Sequence, residues 1–447
     1  MPSSWEIRVV NIAQMGLALG ADTIPAPAAF ARPRGGDYGN AVLGVTVLAV
    51  IYNALLAAAG AKGFPVSYAV VAVAEAMILG VAALLLLGRS GAHDERPVLM
   101  FGYAFIVLGI AVSLLNERIS LDAIRSAAII FLFAMLGLRV DERTVRRTFL
   151  VISSLVLLFL LLEIFVTQTY VSIFQPALYY ERTRGLEQFS LDDSGLFRNA
   201  LGFEGRMFAI QLLDHRASSI FIEQVSLANY LGILTVYLLA TWRSLGRWSR
   251  LLHLGTAVLI LLTNSTRTGT ALAGVALLGY FVYPLLPRYL NIAVAPFLLM
   301  LAALVAYISP GATGDDLTGR LALTIRALGA MDLAALTGLR IDDASGYMDS
   351  GYAWVIVTST GLGLIAFWAF VSFFPAQRTA DQRRAAWALA VYIFTNMLVG
   401  GTAIFSAKVA PPLWLLIGHL RRGESAETGE GREAVASRPR GRPRSSC

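Results

Sequence analysis

The sequence predicts an all-α polytopic integral membrane protein of about 12 transmembrane helices, and three observations carry that prediction. Hydrophobic residues fill 57% of the 447 positions and charged residues only 15%, with a mean hydropathy of +0.66, which a soluble globular domain does not show. Apolar runs of roughly 18–22 residues, long enough to cross a ~30 Å hydrocarbon layer as a helix, recur along nearly the whole chain. These runs are too long and too continuous for the alternating strands of a membrane β-barrel.

Residues 1–40 precede the first clear span. Within them, 9–31 is interrupted by Asp22, Pro25 and Pro27, which favours an interfacial or re-entrant piece over an additional span and sets the count at about 11–13. Glu6 and Arg8 argue against a cleavable signal peptide. The spans then fall at about 41–60, 66–88, 98–115, 122–138, 147–168, 219–241, 248–264, 268–286, 289–308, 352–374, 385–405 and 408–420, one transmembrane domain over 41–420. Arginines fill the short loops 139–147 (Arg139, Arg143, Arg146, Arg147), 242–250 (Arg243, Arg247, Arg250) and 375–384 (Arg378, Arg383, Arg384), so these loops are expected in the cytoplasm. The tail 421–447, with its "RPRGRPR" run, reads as disordered, basic and cytoplasmic. Alternation leaves two long loops, about 169–218 and 309–351, on the outer face. Both carry arginines that the positive-inside bias does not explain.

Composition excludes several classes of function. Cys447 is the single cysteine, which rules out an intrachain disulfide or a thiolate metal cluster. The formal charge of +7 is an arginine excess, with Lys62 and Lys408 the only lysines, and fits membrane topology better than nucleic-acid binding. His93, His253 and His419 belong to cytoplasmic ends and His215 alone is external, so a multi-histidine metal site is not expected. No HExxH, P-loop or GxSxG pattern occurs.

Three segments carry candidate chemistry. In "TNSTRTGTALAG", Arg267 sits between two spans at the external side, beside Asn264, Ser265, Thr266 and Thr268 and the start of a helix, a combination suited to a phosphate-bearing lipid headgroup. In "DHRASSIFIEQVSLANYLG", Asp214, His215 and Arg216 lead into a span that carries Glu223 and Asn229. If that helix starts early, Arg216 and Glu223, seven residues apart, share a face and stabilise each other, although Glu223 could instead serve as a base. In "DDASGYMDSGYAWVIVTSTGLGLIAF", acids and tyrosines run straight into a span with Gly361 and Gly363, where they would border a cavity for a hydroxylated substrate. For Tyr347 and Tyr352 singly, an interfacial aromatic belt explains the residues as well.

Together these segments resemble the O-antigen ligase/polymerase superfamily, the Wzy- and WaaL-type enzymes of bacterial surface polysaccharide assembly. The likeness covers roughly 120–420 and lies in "HRASSIFIEQVSLANYLG", in "TNSTRTGTALAG" and in a late loop with "TGRL", "LTGL" and "DSGYAWVIVTSTGLG". It implies glycosyl transfer from an undecaprenyl-diphosphate-linked oligosaccharide on the periplasmic face of the inner membrane, without metal, cofactor or nucleotide sugar. By position, Arg216 and Arg267 would hold the diphosphate and Arg320 would assist. Membrane lipid, a chain-length regulator and export proteins are the implied partners. Ligases of the superfamily usually present a histidine in the late loop, but 309–351 contains none and reads "MDSGY" at the matching place. That departure points to a polymerase and leaves the base among Asp349, Glu223 and His215, with Asp349 favoured. The competing expectations are a ligase-type transferase and, from another class, a transporter of lipid-linked sugars or polysaccharide.

Overall fold

The computed structural model describes residues 35–88, 95–185, 194–197, 200, 212–264, 266–314 and 316–422, and of Arg267 only the backbone. The expectations for residues 9–31 and for the tail beyond 422 lie outside the described residues, as do parts of the two long loops. The described chain is helical, with no strand among the described residues. In order it forms α1 (Gly35–Ala61), α2 (Tyr68–Leu87), α3 (Arg96–Leu115), α4 (Leu121–Arg139), α5 (Glu142–Phe165), α6 (Thr167–Phe174), α7 (Pro176–Arg184) and α8 (Gln224–Thr241). There follow α9 (Arg247–Asn264), α10 (Arg267–Val282), α11 (Val294–Ile308), α12 (Leu317–Gly329), α13 (Leu333–Leu336), α14 (Gly351–Phe373), α15 (Ala380–Val399) and α16, 410–422.

Among the described residues, nine helices are long and apolar enough to cross a membrane: α1 to α5, α8, α10, α11 and α14. This is a multi-pass all-α membrane protein. Helices α9, α15 and α16 also coincide with expected spans. Both α9 and α15 open on arginines, Arg247 and Arg250 in one and Arg383 and Arg384 in the other, while α16 is short. Leu84, Met100, Tyr103, Leu277, Phe281 and Met300 stand exposed on α2, α3, α10 and α11, as side chains that face lipid should. The core runs through α4, α8, the first half of α14, and α15, with α15 against α8 and α14 against α3. Where α4 meets α16, Gly137 and Gly418 let the backbones approach so closely that a Cβ on either would strike a carbonyl of the other helix.

The arginine-rich loops gather at one end of this bundle. There the guanidinium groups accept the duty of satisfying helix ends: Arg250 Nε donates to Trp242 O at 2.9 Å, Arg384 Nε to Tyr280 O at 2.8 Å, and Arg421 Nη1 to Phe374 O at 2.6 Å. Terminal carbonyls have no partner within their own helix, so cations at that position relieve both a hydrogen-bond deficit and the negative pole of the dipole. Arg139 pairs with Glu95 at 2.6 Å and Arg422 donates to Val140 O at 2.7 Å at the same end.

The opposite end holds both long connections, and each carries short helices among its described residues. The first contains α6 and α7, joined by a left-handed Gln175 (φ 41°) ahead of Pro176. The second contains α12 and α13, which begin on Asp316 and Asp332; their carboxylates accept from Gly319 N at 2.7 Å and Ala335 N at 2.9 Å.

Expected spans depart from a straight helix at two places here. Helix α14 breaks at Thr360, whose φ of 74° and ψ of 166° are far from helical and foreign to a β-branched residue. The break is sharp: a Cβ on Gly363 would lie 2.8 Å from Ser359 Cβ, closer than residues four apart, one turn, come in a continuous helix. Trp354 and Phe367 accordingly both pack against Phe405, with ring centroids 5.4 Å and 5.3 Å away. The second departure is 385–405 and 408–420, where Gly400 to Val409 is largely non-helical, with Gly401 left-handed (φ 64°) and Ser406, Ala407 and Lys408 little exposed. Irregular backbone within a helix bundle is tolerated where protein or a cavity surrounds it.

Candidate active site

The segment before α8 is built around a buried acid. Glu163, near the end of α5 and fully buried, accepts from Ser219 N at 2.6 Å, from Ser218 N at 3.0 Å and 3.1 Å, and from Ser218 Oγ at 3.3 Å. His215 Nε2 lies 3.3 Å from the same carboxylate. Tyr170, on α6, adds a hydroxyl that donates to Ser219 O at 2.8 Å. These bonds hold a tight 3-10 turn, Ser219–Phe221, in which Ser219 takes a left-handed φ of 49° and after which Ile222 takes one of 53°. Such strain persists only where the surroundings over-determine it.

That turn displaces the expected start of the helix. The span read as 219–241 becomes helical only at Gln224, with Glu223 extended one residue before it. Arg216 and Glu223 are therefore not on one helical face, and the expected pairing between them is replaced. Glu223 Oε2 takes Lys408 Nζ at 2.5 Å and Ser226 Oγ at 2.7 Å, while Oε1 takes Arg184 Nη1 at 2.8 Å. Lys408 is 4% exposed and Arg184 44%, so one cation is sealed and the other faces out. Burial pushes the Glu223 carboxyl up, but the Lys408 and Arg184 charges outweigh it and hold it well below the usual carboxylate range. A carboxylate so held is a poor proton acceptor, which argues for an organising role and against a base. His215, 5% exposed and against Glu163, is likewise placed to hold the turn.

Arg216 itself leaves this turn toward the α9–α10 connection. Its Nε donates to Asn264 O at 3.3 Å, Ala217 N donates to Thr263 O at 3.2 Å, and Asn264 Nδ2 donates to Ala217 O at 2.7 Å and Gln224 O at 2.9 Å. Two of the three sequence segments thus meet through their backbones, and Arg267 opens α10 three residues beyond Asn264. The Arg267 side chain lies outside the described residues. Gln224 is fully buried with neither side-chain atom hydrogen-bonded, and Asn264 Oδ1 is also unpartnered, so polar capacity remains open beside Arg216.

The third segment lies on the same end. Arg320, on the first turn of α12, pairs with Asp349 at 2.7 Å, and Asp349 is 67% exposed. Met348 O accepts from Thr402 N at 3.2 Å, which ties this pair to the irregular 400–409 segment that also carries Lys408. The 400–409 segment therefore links the Arg320–Asp349 pair to the Glu223 cluster. Of the residues singled out from sequence, Asp349 and Arg320 meet directly, and Arg216 meets the turn leading to Arg267. Lys408 and Arg184 had no assigned role, although Lys408, one of two lysines and set among aliphatic residues, was a visible signal.

No protein-family model, no curated protein and no solved structure matches the chain.

Proposed function

We propose that the protein is a polysaccharide polymerase of the bacterial inner membrane, with about 12 spans. On this reading it transfers an undecaprenyl-diphosphate-linked glycan chain to another lipid-linked repeat on the periplasmic face. The observation that carries the reading is the stitching of the Arg216 segment to the Asn264–Arg267 connection at the end of the bundle opposite the arginine-rich loops. Guanidinium groups and the start of α10 there suit a diphosphate, and its charge needs no metal to be stabilised as it leaves.

The chemistry balances with groups of this chain. An acceptor hydroxyl oxygen attacks the anomeric carbon, the bond from that carbon to the diphosphate oxygen breaks with its electron pair going to the diphosphate, and the hydroxyl proton goes to Asp349. Asp349 is accessible and held by Arg320, which can turn toward phosphate as the carboxylate takes its proton. Asp349→Asn is expected to lower the rate by about 10²–10⁴. Its melting temperature should barely move, because an exposed ion pair contributes only about 0–1 kcal/mol; a large loss of stability would remove Asp349 from the role of base.

Arg267→Ala tests the diphosphate site. Protein carrying it, shown to be inserted in the membrane, is expected to lose about 10²–10³ in rate, as removal of one stabilising donor does elsewhere. Full-length polymer from that variant would defeat the assignment. A transporter is the second reading, and the broken α14 is what favours it, since helices interrupted at membrane depth often border translocation sites. A transporter would move lipid-linked repeats across vesicles without forming a glycosidic bond.

A further inference from the structure

Cations gather on α7 and at the end of α1, at the end of the bundle opposite the arginine-rich loops. Arg182 Nη1, on α7, lies 3.5 Å from Gly60 O, which puts the last turn of α7 over the end of α1 where Lys62 follows. Lys62 and Arg182 are exposed. Arg184, two residues on, stacks over the Tyr180 ring at 4.6 Å and spends one nitrogen on Glu223, while Lys408 lies beneath on the same carboxylate. Arg184 and Lys408 are thus spent on Glu223, while Lys62 and Arg182, both exposed, hold no acid among the described residues.

Exposed cations without an acid partner on this side run against the distribution that topology imposes, and the C-terminal pole of α7 only partly accounts for them. Next to the cations, Leu55, Phe64 and Tyr68 are exposed at 52%, 52% and 62% along the end of α1 and start of α2. A cationic rim above an outward apolar wall matches a molecule with an anionic head and a hydrocarbon tail. We propose that Lys62, Arg182 and Arg184, supported by Lys408, form a binding site for a phosphate-bearing lipid headgroup, separate from Arg216. Two sources share that chemistry: a polyprenyl diphosphate, which would be the second lipid-linked substrate if the polymerase reading holds, and an anionic phospholipid of the bilayer.

Native mass spectrometry of the full chain in detergent tests the proposal, with undecaprenyl diphosphate, phosphatidylglycerol and the zwitterionic phosphatidylcholine as probes. The wild type is expected to retain the two anionic lipids more strongly than phosphatidylcholine. Lys62→Ala and Arg182→Ala, whose side chains are exposed and hold no acid, should keep the melting temperature and weaken one bound lipid about fivefold each. Lys62→Arg should restore it. Preference for undecaprenyl diphosphate would identify the polyprenyl source, and equal retention of phosphatidylglycerol the bilayer source. If both substitutions leave anionic-lipid retention unchanged, or if phosphatidylcholine binds equally well, the site does not exist. Arg216→Ala separates this result from the catalytic reading, because it should remove a different bound undecaprenyl diphosphate and leave the one held by Lys62 and Arg182.

Discussion

Replacing Lys408 with alanine is expected to be among the most damaging single changes to stability, costing about 3–5 kcal/mol, because it strands a buried carboxylate. Glu223 Oε2 would lose a partner at 2.5 Å, and Arg184, half exposed and bound to the other oxygen, is poorly placed to replace it. The double variant Lys408→Met with Glu223→Gln should recover much of the loss, since removing both charges also removes the cost of burying them. Thermal melting in detergent checks both. The pH dependence follows from the sign of the shift. A carboxyl held below its ordinary value stabilises the fold at every pH above that ordinary value and loses its contribution only as pH falls through the lowered one. Between pH 8 and pH 5 Glu223 stays ionised, so a change of rate in that window has to come from another group.

Glu163→Ala is the second large expectation. It removes the acceptor of the Ser218 and Ser219 amides and of the Ser218 hydroxyl at a fully buried position. Each stranded donor costs about 1–3 kcal/mol, and the strained Ser219–Phe221 turn then has little to hold it. Arg216 begins three residues before Ser219, so its guanidinium shifts with the turn; a displacement near 1 Å is enough to lower a rate by about 10². Glu163→Gln keeps the shape and one oxygen and should fall between alanine and wild type in both melting and polymer formation. A Glu163→Ala protein that melts as the wild type does and polymerises at full rate would show that the turn does not position Arg216.

The sequence made some features legible and hid others for physical reasons. Hydropathy averages over about 20 residues, so it located the helices, and arginine clustering sorted the loops into two ends that the fold keeps separate. The same averaging is blind to one dihedral angle, and the break at Thr360 lies inside an apolar run, although Gly361 and Gly363 were there to be noticed. The expected Arg216–Glu223 pair failed because it needed a helix beginning early, whereas Glu163 and Tyr170 hold that stretch in a 3-10 turn. Contacts between residues far apart in sequence were not readable at all. Lys408 meets Glu223 across 185 positions, and no periodic pattern points from one to the other. The Arg320–Asp349 pair stood within one loop, and both residues were singled out, although their contact was not.

The most direct measurement uses the purified full chain in a lipid bilayer, supplied with undecaprenyl-diphosphate-linked repeat units as the only substrate and with a metal chelator present. A polymerase yields a ladder of products one repeat apart, releases one undecaprenyl diphosphate for each bond formed, and loses both in the Arg216→Ala protein. A ladder that appears only when a separate acceptor is added, or repeats that cross the bilayer with no new glycosidic bond, would contradict the account.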